Sequence, residues 1–178
     1  QAGRHVALLA DLQGPKVRVA RFINNKVQLK EGQGFILDPN MDLESGTDQA
    51  VGLDFPQLGK DLQKDDILLL DDGRIVLKVV TVEQGKVHTK VEIGGPLSNN
   101  KGINLQGGGL SAPALTDKDR ADLITAAQIG VDYIAISFVR NADDMLEARA
   151  LLEQANSNAS LIAKIERAEA IEPAVLEG

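Results

Sequence analysis

Three short apolar runs along the chain predict the strands of a parallel sheet. The first covers residues 6–12 (VALLADL), and the turn-forming pair Gly14-Pro15 follows it. The other two cover residues 132–138 (DYIAISF) and 160–166 (SLIAKIE). Continuous apolar runs of this kind are typical of strands that are covered on both faces of a parallel sheet. We therefore expect one α/β sheet to contain all three runs.

Helical patterns flank the second and third of these runs. Thr116 is placed to cap a helix, Asp119 lies three residues on as in a capping box, and Gly130 has the position of a terminating glycine. Asn141 is placed to begin a second helix, and a third helical pattern covers residues 168–177, broken by a proline. The second helix has an apolar side formed by Met145, Leu146, Ala148, Leu151 and Leu152. Helices and strands that alternate in this way predict a parallel α/β fold.

Residues 16–111 have a different pattern. Short runs rich in Val, Ile, Leu and Thr alternate with clusters of Gly, Asn and Asp, and Asp72-Gly73 and Gln84-Gly85 are hairpin-turn signals. The runs cover residues 16–20, 26–30, 35–37, 67–70, 75–82 and 86–93. This pattern predicts an all-β domain, either a small barrel or a sandwich. We interpret residues 1–15 and 112–178 as one α/β domain, and residues 16–111 as a β domain inserted after its first strand.

The composition limits the partners of this chain. Its 178 residues include 19 Lys and Arg against 26 Asp and Glu, a net charge of −7. This charge disfavours binding to nucleic acids and to anionic membranes, and no apolar run approaches the ~20 residues of a membrane-spanning helix. The lack of cysteine excludes disulfides, thiolate zinc sites and thiol nucleophiles. We therefore expect a cytoplasmic protein with no nucleic-acid or membrane partner.

Polar residues mark the carboxyl ends of the three predicted strands, where the active sites of parallel α/β folds lie. Asp11 and Leu12 end the first run, Ser137 lies near the end of the second, and Lys164 and Glu166 end the third. Lys164 and Glu166 are two residues apart, so they would point to one face of a strand. There the carboxylate could hold a divalent cation while the ammonium neutralises an anionic substrate; the alternative is a structural ion pair. Asp11 is either a metal ligand or the cap of the following turn.

The inserted region contains two further cationic candidates. Arg18 lies in its first β run, where a solvated strand charge is the alternative interpretation. Lys101 lies in a glycine-rich segment, residues 94–104, that could bring backbone N–H groups close to phosphate. This segment matches neither the Walker nor the dinucleotide spacing, which favours a plain loop. Spacing alone thus indicates a metal-assisted α/β enzyme with an inserted lid, and it does not identify the reaction.

Five segments of the chain, in order, resemble the signatures of the pyruvate kinase family, and most closely its bacterial members. They are ADLQGPKVR at 10–18, LDDG at 70–73, NKGINL at 100–105, ISFVR at 136–140 and IAKIE at 162–166. The resemblance implies an α/β fold, a (β/α)8 TIM barrel interrupted after its third strand by an inserted, mobile β-barrel lid. It implies an internal fragment of a homotetrameric glycolytic enzyme, which transfers phosphoryl from phosphoenolpyruvate to ADP and gives pyruvate and ATP.

The same resemblance implies a role for each candidate of the α/β domain. Lys164 would be the catalytic residue that stabilises the transferring phosphoryl group and the enolate, and Ser137 would line the phosphoenolpyruvate pocket. Glu166 would be one of two carboxylate ligands of Mg²⁺. Asp11 and the backbone carbonyl of Leu12 would contribute to a K⁺ site.

In the inserted domain, the resemblance implies that Arg18 and Lys101 contact the phosphates of the nucleotide. The chain departs from the family pattern at Leu12, where Thr is usual, and at Gln13, where Lys is common. It lacks the R-G-D-L-G segment that carries the second magnesium carboxylate, so we expect the 178-residue chain alone to be inactive. Two alternatives stay open: a Mg²⁺-dependent aldolase or other phosphoenolpyruvate-utilising barrel, and a non-catalytic lid module.

Overall fold

The computed structural model describes residue 3 and residues 5–173, which form two compact units. The first unit contains the described residues of Gln1–Pro15 and Ala112–Gly178, and the second is Lys16–Ser111. In chain order the elements are β1 (Leu9–Asp11), β2 (Lys26–Leu29), β3 (Gly34–Asp38), β4 (Ala50–Gly52), β5 (Ile67–Leu70), β6 (Ile75–Glu83), β7 (Lys86–Ile93), β8 (Gly95–Ser98), β9 (Ile103–Leu105), α1 (Asp117–Ile129), β10 (Tyr133–Ile136), α2 (Ala142–Gln154) and β11 (Ser160–Ala163). Short 3₁₀ turns lie at Leu58–Lys60 and Ala168–Ile171. Among the described residues, no helix combines the length and the apolar character needed to cross a lipid bilayer.

The first unit is built on a parallel sheet with the strand order β1-β10-β11. Leu9 of β1 pairs with Tyr133 of β10, which in turn pairs with Ser160 of β11. β1 therefore lies beside a strand that follows the whole of the second unit in the sequence. The parallel α/β arrangement predicted from the three apolar runs is confirmed.

The core of the first unit lies on one face of this sheet. Ile134 and Ile136 of β10 are fully buried, and they belong to a cluster of buried residues with α1 and α2. The helices contribute Leu123, Ala126, Ala148 and Leu152 to this cluster. On the other face Leu9 is 52% exposed, and Tyr133 and Ile162 are exposed as well. The expectation that these strands are covered on both faces is therefore wrong for the described residues.

The ends of both helices follow the local sequence signals. Thr116 Oγ1 accepts a hydrogen bond from the Asp119 N–H, and the Asp119 side chain accepts one from the Thr116 N–H. This reciprocal pair is the predicted capping box. Gly130 ends α1 with φ of +79°, and the side chain of Asn141 caps α2. Helix ends are thus set by residues that are close together in the sequence.

Two predictions for the first unit differ from the structure. Leu146 is 64% exposed, because it lies two residues before the buried Ala148 and therefore on nearly the opposite side of α2. The first part of the helical pattern predicted over 168–177 is a 3₁₀ turn, at Ala168–Ile171; helical backbone begins again at Pro173, and the residues after it lie outside the described part of the chain. Proline disfavours helical backbone in the residue before it, which explains the predicted break.

The second unit consists of β-strands, as the sequence pattern predicts. Strands β4-β3-β7-β6-β5-β9 form a six-stranded sheet in which only β3 and β4 are parallel, and β2 pairs with β8 in an antiparallel ribbon. Tight turns at Asp72-Gly73 and Gln84-Gly85 connect β5 to β6 and β6 to β7. Gln84 and Gly85 have φ of +52° and +83°, the left-handed values of the hairpin turns that the sequence signals.

Two segments of the second unit differ from their predictions. The strand predicted at 16–20 is reduced to isolated bridges, in which Arg18 faces Gly102 and Val19 faces Leu53. The glycine-rich segment 94–104 is not a plain loop, because it contributes β8 and part of β9. Their partners β2 and β5 lie far away in the sequence, so local composition gives no sign of the pairing.

Candidate active site

The candidate residues of the first unit lie at the carboxyl ends of its three parallel strands. Asp11 is the last residue of β1, whereas Ser137 and Lys164 are the first residues after β10 and β11. The backbone ladder extends one residue beyond the strands, since the Leu12 N–H donates to the Ala135 carbonyl (3.0 Å) and the Lys164 N–H to the Ile136 carbonyl (2.9 Å). The side chains of three strands are therefore brought to the same edge of the sheet.

The ammonium group of Lys164 joins these strand ends. Its Nζ lies 3.0 and 3.3 Å from the two carboxylate oxygens of Asp11, and 3.0 Å from Ser137 Oγ. Glu166 Oε1 lies 3.4 Å from the same nitrogen, so Lys164 and Glu166 do meet although both follow the end of β11. One cation thus has two carboxylates and one hydroxyl around it.

This environment favours the charged form of Lys164. The hydrogen bond to Asp11 raises the pKa of the ammonium, partial burial opposes that rise, and the charges of Glu166 and Asp11 reinforce it. The Lys164 side chain is 32% exposed and that of Asp11 is 55% exposed, so water still reaches the group. The Lys164 ammonium therefore stays charged and open to water, with two carboxylates beside it.

Ser137 and Leu12 form a buried hydrogen-bonded pair beside this charge. The Ser137 hydroxyl donates to the Leu12 carbonyl at 2.5 Å, and both residues are buried. Because a hydroxyl has a single hydrogen, Ser137 Oγ acts as the acceptor towards Lys164. Asp11 Oδ1 lies 3.5 Å from the same Oγ. A carboxylate, a carbonyl and a hydroxyl oxygen are thus gathered within one small region.

Glu166 is held in place by the turn that follows β10. Its Oε2 accepts a hydrogen bond from the Phe138 N–H at 3.1 Å, while its Oε1 faces Lys164. Phe138 has φ of +57°, in the left-handed region that an aromatic residue rarely adopts. Strained backbone of this kind persists only where its surroundings hold it, and it is concentrated at functional sites. The link to Phe138 therefore fixes the carboxylate relative to the strand end.

The donor set of the site suits hard cations. Mg²⁺ is commonly bound by one or two carboxylates together with water and substrate phosphate oxygens, and Glu166 offers such a half-exposed carboxylate. The Asp11 carboxylate, the Leu12 carbonyl and the Ser137 hydroxyl are oxygens of the kinds that complete the shell of a larger cation. The described residues contain no group of three or more His, Cys, Asp or Glu side chains arranged to hold a metal ion. Among the described residues, further ligands would therefore be backbone carbonyls and hydroxyls.

The two cationic candidates of the second unit come together within that unit. The Val19 N–H donates to the Lys101 carbonyl at 2.9 Å, and Arg18 forms a bridge with Gly102, so Arg18 and Lys101 lie on neighbouring segments. Lys101 Nζ forms an ion pair of 2.7 Å with the largely buried carboxylate of Asp71. The structure thus places both residues on one edge of the β unit.

Sequence reasoning missed two partners of the candidate lysines. Asp71 directly precedes the predicted Asp72-Gly73 turn, and it binds Lys101 because β5 pairs with β9 and brings position 71 beside position 102. Asp11 binds Lys164 across 153 residues of sequence. Knowing that β5 pairs with β9 would have revealed the contact between Asp71 and Lys101. Knowing that β10 lies between β1 and β11 in a parallel sheet would have revealed the contact between Asp11 and Lys164.

The chain matches known proteins over nearly its whole length. The family model "Pyruvate kinase, barrel domain" matches residues 1–175. The chain is 58% identical over 167 residues to the pyruvate kinase of Buchnera aphidicola subsp. Schizaphis graminum, an alignment that covers 94% of this chain and 35% of that protein. It is 56% identical over 169 residues to the pyruvate kinase of Haemophilus influenzae and to pyruvate kinase II of Salmonella typhimurium, covering 95% of this chain and 35% of each relative.

The chain therefore spans about a third of the length of these curated relatives, and its match to the family model extends over both units. The segments that carry Asp11, Ser137 and Lys164 all lie within the matched residues. This chain belongs to the pyruvate kinase family.

Proposed function

We propose that this chain forms part of the active site of an enzyme that transfers phosphoryl from phosphoenolpyruvate to ADP, giving pyruvate and ATP. The observation that carries the proposal is the ammonium of Lys164, which is surrounded by Asp11, Ser137 and Glu166 at the ends of three parallel strands. Membership of the pyruvate kinase family supports the reaction. The alternatives of an aldolase and of a non-catalytic lid module receive no such support.

Lys164 would be the catalytic residue. Phosphoryl transfer depends on positioning and on neutralising negative charge rather than on covalent catalysis. The hydrogen bond to Asp11 raises the pKa of Lys164, so the side chain stays a cation when an anionic substrate arrives. Its three donor hydrogens can then be shared between the carboxylates and the substrate oxygens, including the enolate oxygen as its charge develops. Ser137 would line the phosphoenolpyruvate pocket beside it.

Two cations would complete the site. Glu166 would bind Mg²⁺ through its half-exposed carboxylate, and Asp11 with the Leu12 carbonyl would contribute to a K⁺ site. When bound, these ions supply positive charge that offsets the charge of the phosphoryl oxygens. The hydrogen bond from Ser137 to the Leu12 carbonyl uses one of its two lone pairs and leaves the other for a cation.

The nucleotide would be contacted by the second unit. Arg18 and Lys101 lie on one edge of that unit and would bind phosphates of ADP or ATP, with Lys101 exchanging Asp71 for a phosphate. In this proposal, residues 1–15 and 112–178 form part of a (β/α)8 barrel, and residues 16–111 form the inserted β-barrel lid. The complete enzyme would be a cytoplasmic homotetramer.

The proposal is tested by transplanting this chain into a relative. In the grafted enzyme, this chain replaces the 169 matched residues of the Haemophilus influenzae pyruvate kinase. We expect it to form pyruvate from phosphoenolpyruvate and ADP, in a lactate-dehydrogenase-coupled assay, with dependence on Mg²⁺ and K⁺. We expect no turnover by the 178-residue chain alone, because a complete barrel requires about 250 residues.

The unmodified Haemophilus influenzae enzyme, prepared in the same way, is the control for the assay. A grafted enzyme that is folded and tetrameric but inactive would contradict the proposed function. Turnover by the 178-residue chain alone would contradict the expected incompleteness of its site.

A further inference from the structure

The carboxylate of Asp119 has a second partner that helix capping does not explain. Asp119 is 1% exposed, and its Oδ2 accepts hydrogen bonds from the backbone N–H and the hydroxyl of Thr116, at 3.0 and 2.5 Å. These two bonds form the cap of α1. The other oxygen, Oδ1, accepts a hydrogen bond of 3.1 Å from the N–H of Gly14, which is 105 residues away in the sequence. A buried carboxylate therefore ties the start of α1 to the segment that follows β1.

Gly14 lies directly against the turn that carries Ser137. Its φ is +65°, and a Cβ built on it would lie 2.9 Å from Cδ2 of Phe138 and 3.1 Å from Cβ of Ser137. The residues that such a Cβ would meet are thus the serine of the candidate site and the strained residue whose N–H binds Glu166. A displacement of Gly14 would move, or release, both of these residues.

The segment from Leu12 to Gly14 is fixed at its two ends. The Leu12 N–H is held by the Ala135 carbonyl at 3.0 Å, and the Gly14 N–H is held by Asp119. Between these points lies the Leu12 carbonyl, which accepts the Ser137 hydroxyl and which the proposed function assigns to K⁺. The direction of this carbonyl therefore depends on where Gly14 is held.

We propose that Asp119 is a positioning residue of the active site: through Gly14 it orients the Leu12 carbonyl and the Ser137 hydroxyl. The effect reaches Lys164 because Ser137 Oγ lies 3.0 Å from its ammonium. The kinetic consequence of this proposal depends on the proposed function, whereas its structural consequence does not. Two measurements separate them.

The structural consequence is measured by hydrogen exchange of the Gly14 amide in the 178-residue chain and in the grafted enzyme. Asp119→Ala removes the acceptor of the Gly14 N–H, and we expect exchange at Gly14 to become about tenfold faster or more. Asp119→Asn keeps an oxygen that can face Gly14, so it should restore part of the protection. The matched control is Thr116→Ala, which weakens the cap of α1 but leaves Asp119 Oδ1 facing Gly14.

Thr116→Ala is expected to change exchange at Gly14 by less than about twofold, because local protection follows the bond that is broken. Equal acceleration in Thr116→Ala and Asp119→Ala would mean that Asp119 acts only by capping, and this result overturns the proposal. Unchanged exchange at Gly14 in Asp119→Ala overturns it as well.

The kinetic consequence is measured in the grafted enzyme. Loss of a residue that orients ligands typically costs about 10- to 100-fold, so we expect Asp119→Ala to lower kcat by that factor and to raise the half-saturating K⁺ concentration. The KM for ADP should stay within about twofold, and Asp119→Asn should recover part of kcat. An Asp119→Ala enzyme with the kcat and K⁺ dependence of Thr116→Ala contradicts the positioning role.

If the proposed function is wrong, a different result shows it. In that case the grafted enzyme without substitutions is already inactive, and exchange at Gly14 alone then decides whether Asp119 holds the segment after β1.

Discussion

The two units of this chain place apolar and charged side chains in different ways. The second unit buries alternate residues of its six-stranded sheet completely, as Phe35, Leu77 and Val91 show. The first unit covers one face of its three-stranded parallel sheet with helices, and Leu9 on the other face is 52% exposed. At the ends of its strands, Lys164 meets two carboxylates.

The position of the Lys164 ion pairs limits the hydration that their charges lose. A fully buried ion pair often gains less from mutual attraction than it loses in hydration. Lys164 and Asp11 avoid most of that loss because both side chains stay in contact with water. The second unit has the larger apolar core and also pairs Lys101 with the largely buried Asp71, whereas the first combines a smaller core with polar links between loops and helix ends.

The largest expected effect comes from removing a buried leucine of the second unit. Leu77→Ala in β6 creates a cavity, and we expect it to lower the free energy of unfolding by about 2–5 kcal/mol. The matched substitution Leu9→Ala in β1 should cost less than about 1 kcal/mol, because half of that side chain is already in water. Urea unfolding followed by circular dichroism measures both values, and an equal cost at the two leucines would remove the contrast between the units.

The next effect concerns a polar link of the first unit. Burial alone would raise the pKa of Asp144, but hydrogen bonds from the Arg140 side chain and backbone outweigh it and hold that pKa below its usual value. The stability from this carboxylate is therefore fully present above about pH 4, and it is lost as pH falls through the lowered pKa. We expect Asp144→Asn to cost about 1–3 kcal/mol at pH 7 and progressively less in acid.

The matched control for Asp144→Asn is Asp143→Asn, an exposed position in the same first turn of α2. It removes the same charge from the same helix end without breaking the link to Arg140. Thermal unfolding from pH 2 to pH 7 should therefore show a pH-dependent deficit only in Asp144→Asn. The same deficit in both variants would assign the effect to the helix dipole instead.

The smallest expected effect concerns the β6–β7 turn of the second unit. Gly85→Ala places a side chain at φ of +83°, and we expect a loss of about 1–2 kcal/mol. Gly34→Ala in β3 is the control, since an added Cβ there meets only the Thr89 carbonyl at 3.9 Å. That change should be neutral or stabilising by up to about 1 kcal/mol. A loss at Gly34 equal to that at Gly85 would show that the turn geometry is not the cause.

Short-range features of the fold could be predicted from the sequence. The cap at Thr116 and Asp119, the end of α1 at Gly130 and the hairpin at Gln84-Gly85 each depend on residues within one turn of each other. That the three apolar runs form one parallel sheet was also predicted, because continuous apolar runs alternate with helices. These features are encoded by neighbouring residues, which a single sequence displays directly.

Long-range features could not be predicted in the same way. The strands inside 94–104 exist because β2 and β5 pair with them, although glycine and asparagine in that segment favour a loop. Asp119 was predicted to cap a helix, but its bond to Gly14 depends on how α1 packs beside the end of β1. Asp11 and Lys164 were both candidates, and only the sheet order places them 3.0 Å apart.

The central claim is that the ammonium of Lys164 is the cation used in phosphoryl transfer, and kcat of a single variant tests it most directly. In the grafted enzyme, Lys164→Met keeps most of the unbranched side chain and removes its charge. The control is Lys118→Met, a well-exposed lysine of α1 outside the site. We predict that Lys164→Met lowers kcat by about 10²–10³-fold or more, while Lys118→Met stays close to the unsubstituted enzyme. A folded Lys164→Met enzyme with the kcat of Lys118→Met would contradict the account.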